Sequence, residues 1–211
     1  MPAQEKPLVE APPSLRPALN DILPMSERES GATVQIVYTA SRTLVLEIKS
    51  EEPIDASLPA GGEDVEHLHK QGLTLDGRPR IYAQMSFVLV MSADSSASLI
   101  SFHEAVQNQT TIIALGETHT SSLGAVTAQA LAKLHSTRKS RSNLLYAPHS
   151  EGIFQLIRTG KAHAGLVYRA DAINSGQVRT SDETPFGRSG RVQFGQAMVS
   201  TCRATLCPIA E

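Results

Sequence analysis

Four times along this chain a short β-branched or apolar run gives way to a serine and then to a helical pattern. The run Lys6–Glu10 leads to Ser14, and Thr33–Tyr38 leads to Ser41. Thr111–Leu115 leads to Ser121-Ser122-Leu123-Gly124, and Asn143–Ala147 leads to Ser150. Strands alternating with helices predict an α/β fold, a parallel or mixed sheet with helices on both faces. The junctions matter chemically. A helix start carries unpaired backbone N–H groups and the positive end of the helix dipole, which together favour an anion. Serine is also a preferred N-cap, contributing about 1 kcal/mol, so any one junction taken singly reads better as a plain cap. What favours a site is that all four fall at strand carboxyl ends, where ligands of open α/β sheets bind.

Further elements follow from periodicity. A helix is predicted from Leu15 to Glu29, with Pro17 harmless in its first turn and Pro24 expected to kink or end it. Helices are predicted over Thr43–Lys49, Gly62–Gln71, Leu99–Gln107, Gly124–His135 and Glu151–Thr159. Val65 and Leu68 are predicted to face inward on the second of these, and Ile153, Phe154, Leu156 and Ile157 share one face of the last. Ser86–Ser92 and Ala164–Tyr168 read as buried strands, and Val192–Ser200 as the final one.

At 211 residues the chain suits one large domain or two lobes of about 100 residues each. An apolar fraction of 41% is enough for a buried core, and 19% charged residues are too few for a disordered tail. A net charge of −2 gives no bulk attraction to nucleic acid or anionic membrane. Aromatic residues at 4%, without Trp, argue against a base-stacking surface. No apolar run approaches the roughly 18 residues of a membrane helix, so direct membrane insertion is not expected. The first residues lack the charged and then apolar pattern of a secretory leader. The protein is therefore cytosolic, or a leader precedes the residues of this sequence.

Cys202 and Cys207 form either a short-loop disulfide or two free thiols, and their spacing does not suggest a metal. His67 and His69 lie two apart on a helix and face different directions. His119, in the third junction, reads as a loop histidine, and His103, His149 and His163 are scattered. A Ser/His/Asp hydrolase would need a nucleophile elbow, and Gly187-Arg-Ser-Gly-Arg191 is one residue short of one. No phosphate-binding glycine loop or dinucleotide fingerprint occurs. Arg138-Lys-Ser-Arg141 reads as a solvated loop, and Asn108-Gln-Thr110 matches a glycosylation acceptor. No catalytic residue, enzyme activity or cofactor is expected.

Several segments, taken in order, resemble one family. Ala11-Pro-Pro-Ser-Leu-Arg-Pro-Ala-Leu, Tyr38-Thr-Ala-Ser-Arg-Thr-Leu and Pro53-Ile-Asp55 with Ala60 resemble the opening segments of the periplasmic molybdate-binding proteins of ABC importers. Tyr82-Ala-Gln-Met-Ser-Phe-Val-Leu-Val resembles their first crossover. Gly116-Glu-Thr-His-Thr-Ser-Ser-Leu-Gly124 and Gly160-Lys-Ala-His-Ala-Gly-Leu-Val-Tyr-Arg-Ala-Asp-Ala172 resemble two later segments. The resemblance runs from about Lys6 to Ser200, and the ordered set is more specific than any one motif.

The resemblance implies a type II periplasmic binding protein, two lobes closing over a tetrahedral oxyanion by a hinge. Lobe I would take residues 1–84 plus 185–211, and lobe II residues 85–184. The implied ligand is molybdate or tungstate, delivered to an ABC permease by a monomer in the periplasm. The implied ligand-binding residues are Ser14 and Ser41 through hydroxyls, Leu123 and Ser150 through backbone N–H groups, and Tyr168 through its phenol. Arg42 and Ser122 would stand just behind them. There would be no metal as a free cation.

Three departures from the family pattern stand out. Ser122-Leu123-Gly124 replaces Pro-Ala-Gly, so a bulkier Leu123 could alter the site. Arg42 stands where a small residue is usual, and either adds charge beside the anion or points away into solvent. The sequence closes at Glu211, whereas the family continues with another helix, which suggests a shortened or diverged member. The alternatives are another anion (sulfate, a phosphonate or a small carboxylate) or a sensing module with no transport role.

Overall fold

The computed structural model describes residues 6–75, 80–133, 143–183 and 191–202. Cα packing divides the chain into two compact units, Met1–Gln84 with Gln193–Glu211 and Met85–Val192.

In the first unit β1 (Leu8–Ala11) lies between β2 (Gln35–Tyr38) and β3 (Ala56–Ser57), parallel to both. β9 (Arg191–Met198) pairs antiparallel with β3 and extends the order to β2-β1-β3-β9. α1 (Arg16–Ser30) connects β1 to β2, and α2 (Ser41–Lys49) connects β2 to β3. Parallel neighbours require such crossovers, so successive strand carboxyl ends emerge at the same sheet edge. α3 (Gly62–Lys70) follows β3. The core joins Leu44 and Ile48 of α2 to Ile54, Leu68 of α3 and Val199. Full burial of each such side chain is worth about 1.5–3 kcal/mol. Val65 and Leu68 are wholly buried, as their spacing predicts.

The second unit takes over within β4 (Arg80–Ser92), whose residues from Met85 onward belong to it. There β4 pairs antiparallel with β7 (Ala164–Tyr168) and β8 (Val178–Asp182). β5 (Ile113–Gly116) is parallel to both β6 (Leu144–Ala147) and β7, giving the order β4-β7-β5-β6. The helices are α4 (Phe102–Gln107), α5 (Ser122–Lys133), α6 (Ser150–Arg158) and α7 (Arg169–Ser175). All five residues of β7 and all four of β5 are buried, which accounts for their continuous apolar runs.

Several expectations need correction. Pro24 neither ends nor splits α1, which runs through it to Ser30. No residue of α1 is buried, so the carbonyl that Pro24 leaves unbonded can be hydrated. The helix ends instead at Gly31 (φ 68°), whose N–H bonds to Glu27 O at 2.9 Å. α4 begins at Phe102 rather than Leu99, because Ser101 and Glu104 form a reciprocal capping box. Phe154 and Leu156 are only half-buried, and Ile153 and Ile157 alone carry the buried face of α6. The helix predicted to reach His135 is described as far as Lys133.

Candidate functional site

In the first unit, the register pairs Ala11 with Tyr38 across β1 and β2, and a serine stands three residues beyond each. Thr39 N–H donates to Ala11 O at 3.0 Å and continues the ladder one step further. Arg16 then places its guanidinium 4.4 Å from the centre of the Tyr38 ring, tying the start of α1 to the end of β2. Ser14 and Ser41 therefore leave adjacent strands at one sheet edge.

Ser14 sits in a 3-10 turn, Pro13–Leu15, and its Oγ is buried without a hydrogen-bond partner among the described residues. Ser41 does not cap its helix. Ala40 occupies the N-cap in extended conformation, and Ser41 is the first helical residue. The Ser41 hydroxyl oxygen accepts the N–H of Ala60 at 2.9 Å. An oxygen engaged as acceptor leaves the hydroxyl proton to be donated elsewhere. Backbone bonding begins when Leu44 N–H reaches Ala40 O, so the first amides of α2 have no partner within the helix.

Arg42 is half-buried, and its Nε is buried without a hydrogen bond among the described residues. It is therefore not a freely solvated side chain. Burial pushes the Asp64 carboxyl above its ordinary range, and the nearby Arg42 guanidinium acts against that rise.

In the second unit β5, β6 and β7 run parallel and release their carboxyl ends at one edge. Beyond β5, Gly116 and Gly124 come into close approach. A Cβ on Gly124 would lie 2.3 Å from Glu117 O, and one on Gly116 would lie 2.6 Å from Gly124 N. Only glycine lets the first turn of α5 sit this near the strand end. Ser122 opens α5 with its Oγ buried and unpartnered among the described residues. Ala125 N–H is the first to bond back, to Ser121 O at 3.1 Å, which leaves the Leu123 amide without a helical partner. The Leu123 side chain is 1% exposed and packs at Gly116, so its bulk is absorbed by the interior.

Beyond β6, His149 is the N-cap of α6, its Nδ1 accepting Gly152 N–H at 3.3 Å. Ser150 is again the first helical residue rather than the cap, and it is 6% exposed. Among the described residues its Oγ is buried without a hydrogen bond of full geometry, and so is Asp171 Oδ2. Ser150 nevertheless lies close enough to Asp171 to favour the ionised carboxyl. Burial outweighs that help and, with Glu151, pushes Asp171 up to about 6. Tyr168 ends β7 as the N-cap of α7, with its ring stacked on Phe87 at 5.3 Å.

Sequence reasoning missed Glu10 and Asp171. Glu10 lies on β1, 6% exposed, and is pushed up to about 7, first by burial and then by Glu47 and Glu52. An acid inside the apolar run Leu8–Ala11 was the available signal. Asp171 gives a weaker one, since α7 has only Ala172 buried and no apolar periodicity.

The scattered histidines have local partners. His69 Nδ1 lies 3.0 Å from Thr74 Oγ1, and His163 Nδ1 accepts Ile112 N–H at 2.9 Å. Among the described residues no three His, Cys, Asp or Glu side chains gather as a metal site. Asn108 folds onto Thr110 in a local turn. Cys202 is disulfide-bonded, which decides against two free thiols. Cys207, Arg138-Lys-Ser-Arg141 and most of the Gly187–Arg191 segment lie outside the described residues.

Parallel strands joined by helical crossovers, with antiparallel strands at the margins of each sheet, are the architecture of type II periplasmic binding proteins. Solved structures share it. The periplasmic molybdate-binding protein of Azotobacter vinelandii superposes with a TM-score of 0.76 at 16% identity, covering 95% of this chain and 87% of that one. The tungstate ABC transporter structure from Geobacter sulfurreducens gives 0.75 at 12% identity, covering 98% and 92%. Residues 8–202 match the family of bacterial extracellular solute-binding proteins, and the chain belongs to that family. Its members bind solutes and are not enzymes. YvgL of Bacillus subtilis (strain 168), named as a substrate-binding lipoprotein of an ABC transporter, is 25% identical over 176 residues, 83% of this chain and 67% of YvgL.

Proposed function

We propose that this protein captures a tetrahedral oxyanion, molybdate or tungstate, outside the cytoplasm and delivers it to the permease of an ABC importer. Ser14 and Ser41 donate hydroxyls, Leu123 and Ser150 donate backbone N–H groups, and Tyr168 donates its phenol. Ser122 and Arg42 stand behind them. Nothing is done chemically to the ligand.

The observation that carries this reading is the set of buried hydroxyls left without partners. Among the described residues, Ser14 and Ser122 each bury an Oγ with no hydrogen-bond partner, and Ser150 buries one whose only neighbour of that kind is Asp171, all at strand carboxyl edges. An unsatisfied buried polar group costs about 1–3 kcal/mol, a cost that an anion accepting from the Ser14 hydroxyl, with the other two close behind the ligand, would lower. Molybdate, tungstate and sulfate are fully deprotonated at neutral pH and need donors only. Each hydrogen bond to a charged group contributes about 1.5–3 kcal/mol. Five of them, less the cost of ordering, reach micromolar to nanomolar affinity, about −8 to −12 kcal/mol. The disulfide at Cys202 suits an oxidising compartment. Among the described residues no helix is long and apolar enough to cross a membrane.

A second reading keeps the site and changes the anion to sulfate, a phosphonate or a small carboxylate. The buried Nε of Arg42 favours it, because a guanidinium matches planar carboxylate geometry. Titration calorimetry with molybdate, tungstate, sulfate and phosphate separates the two. Absence of heat and of a thermal shift with molybdate and tungstate would exclude the first.

A further inference from the structure

An arginine follows each serine of the first unit. Arg16 stands two residues after Ser14, and Arg42 comes directly after Ser41. Around Ser122 and Ser150 of the second unit, no lysine or arginine occurs within two residues on either side.

Arg16 is held in place from two directions. Its backbone N–H donates to Pro13 O and closes the 3-10 turn that carries Ser14. Its exposed side chain crosses to β2, where the guanidinium carbon lies 4.4 Å from the centre of the Tyr38 ring. Tyr38 is the register partner of Ala11 and precedes Ser41 by three residues. The arginine thus spans the two connections that carry Ser14 and Ser41. Among the described residues it forms no ion pair and no side-chain hydrogen bond. A guanidinium resting on an aromatic face keeps the N–H groups of its rim available to an anion.

The acids of this sheet leave that charge standing. Asp55 accepts Leu8 N–H at 2.7 Å, at the opposite, amino end of β1. Glu10, nearer the edge, is buried and pushed up to about 7, first by that burial, so in mildly acidic solution it is largely neutral. Arg42 is half-buried and acts on Asp64. The chain as a whole carries −2, which repels a dianion at long range. A cation fixed at the strand carboxyl edge makes the potential there locally positive.

We propose that Arg16 is a specificity-determining residue of the oxyanion site, a fixed positive charge that draws a dianion to the Ser14 and Ser41 hydroxyls of the first unit. This inference rests on the oxyanion reading. Neutral hydroxyl and amide donors select an anion by its shape and its acceptors. Attraction to the guanidinium scales with the charge of the ligand, so it favours dianions over monoanions.

The test is calorimetric titration of the intact protein with molybdate at pH 7, in about 10 mM and about 1 M sodium chloride, where the screening length falls from about 30 Å to about 3 Å. Arg16→Gln should bind about three- to tenfold more weakly than the unmodified protein in low salt and equally in high salt. Arg16→Lys should recover most of the low-salt affinity, because it restores the charge. Equal affinity of Arg16→Gln in low salt overturns this inference. So does a loss that persists in high salt and is not rescued by lysine, since that is the signature of a purely structural clamp. Affinity of the unmodified protein that is unchanged by salt overturns it as well, whether or not the variants fold. Each of these results leaves the oxyanion reading standing. Absence of molybdate and tungstate binding by the unmodified protein at both salt concentrations overturns both.

Discussion

The hydroxyl oxygen of Ser41 accepts the backbone N–H of Ala60 at 2.9 Å, from the first position of a helix that Ala40 leads in. One atom thereby closes a structural contact and leaves its proton for another acceptor. Ser41→Ala should weaken oxyanion binding by about 1–3 kcal/mol, roughly 5- to 150-fold. It should also lower the melting temperature of the ligand-free protein by a few degrees, because the Ala60 amide is orphaned. Calorimetry and thermal unfolding measure the two effects separately. An unchanged affinity would remove Ser41 from the site.

Gly124 presses against the end of β5, where a Cβ would stand 2.3 Å from Glu117 O and 2.5 Å from Gly116 O. Both are backbone atoms and cannot rotate aside. Gly124→Ala should therefore displace the first turn of α5 and destabilise the protein by about 2–4 kcal/mol. Urea unfolding should show the midpoint falling. A midpoint equal to that of the unsubstituted protein would mean that the turn is not so tightly packed.

Glu10 links stability to pH. Its folded carboxyl titrates near 7 against an ordinary value of 4.5. Between those values the native state holds more protons than the unfolded state, so this group makes stability fall as pH rises from about 4.5 to 7. Glu10→Gln should flatten that part of the profile and stabilise the protein at pH 8 by about 1–3 kcal/mol. Denaturant titrations at pH 5, 6.5 and 8 measure it. An equally steep fall in the variant would assign the dependence to other groups.

The serine junctions were legible because three local signals coincide at each of them: an apolar or β-branched run, a hydroxyl residue and the onset of helical spacing. What sequence could not supply was the role of each hydroxyl. Ser41 and Ser150 look like caps, yet Ala40 and His149 occupy those positions. The one-residue offset depends on where the chain leaves the strand, and the sheet register decides that. β3 escapes notice because it is two residues long. β8 does so because Val178 is its only apolar residue and all five of its residues are half-buried. Glu10 and Asp171 become informative only when tertiary packing removes water from them.

Titration of molybdate into the intact protein at pH 7, beside the Ser14→Ala/Ser41→Ala double variant, tests the central claim most directly. The account predicts saturable one-to-one binding in the micromolar range or tighter, weakened at least tenfold in the double variant while its fold is retained. No heat with molybdate or tungstate, or equal affinity in the folded double variant, would contradict it.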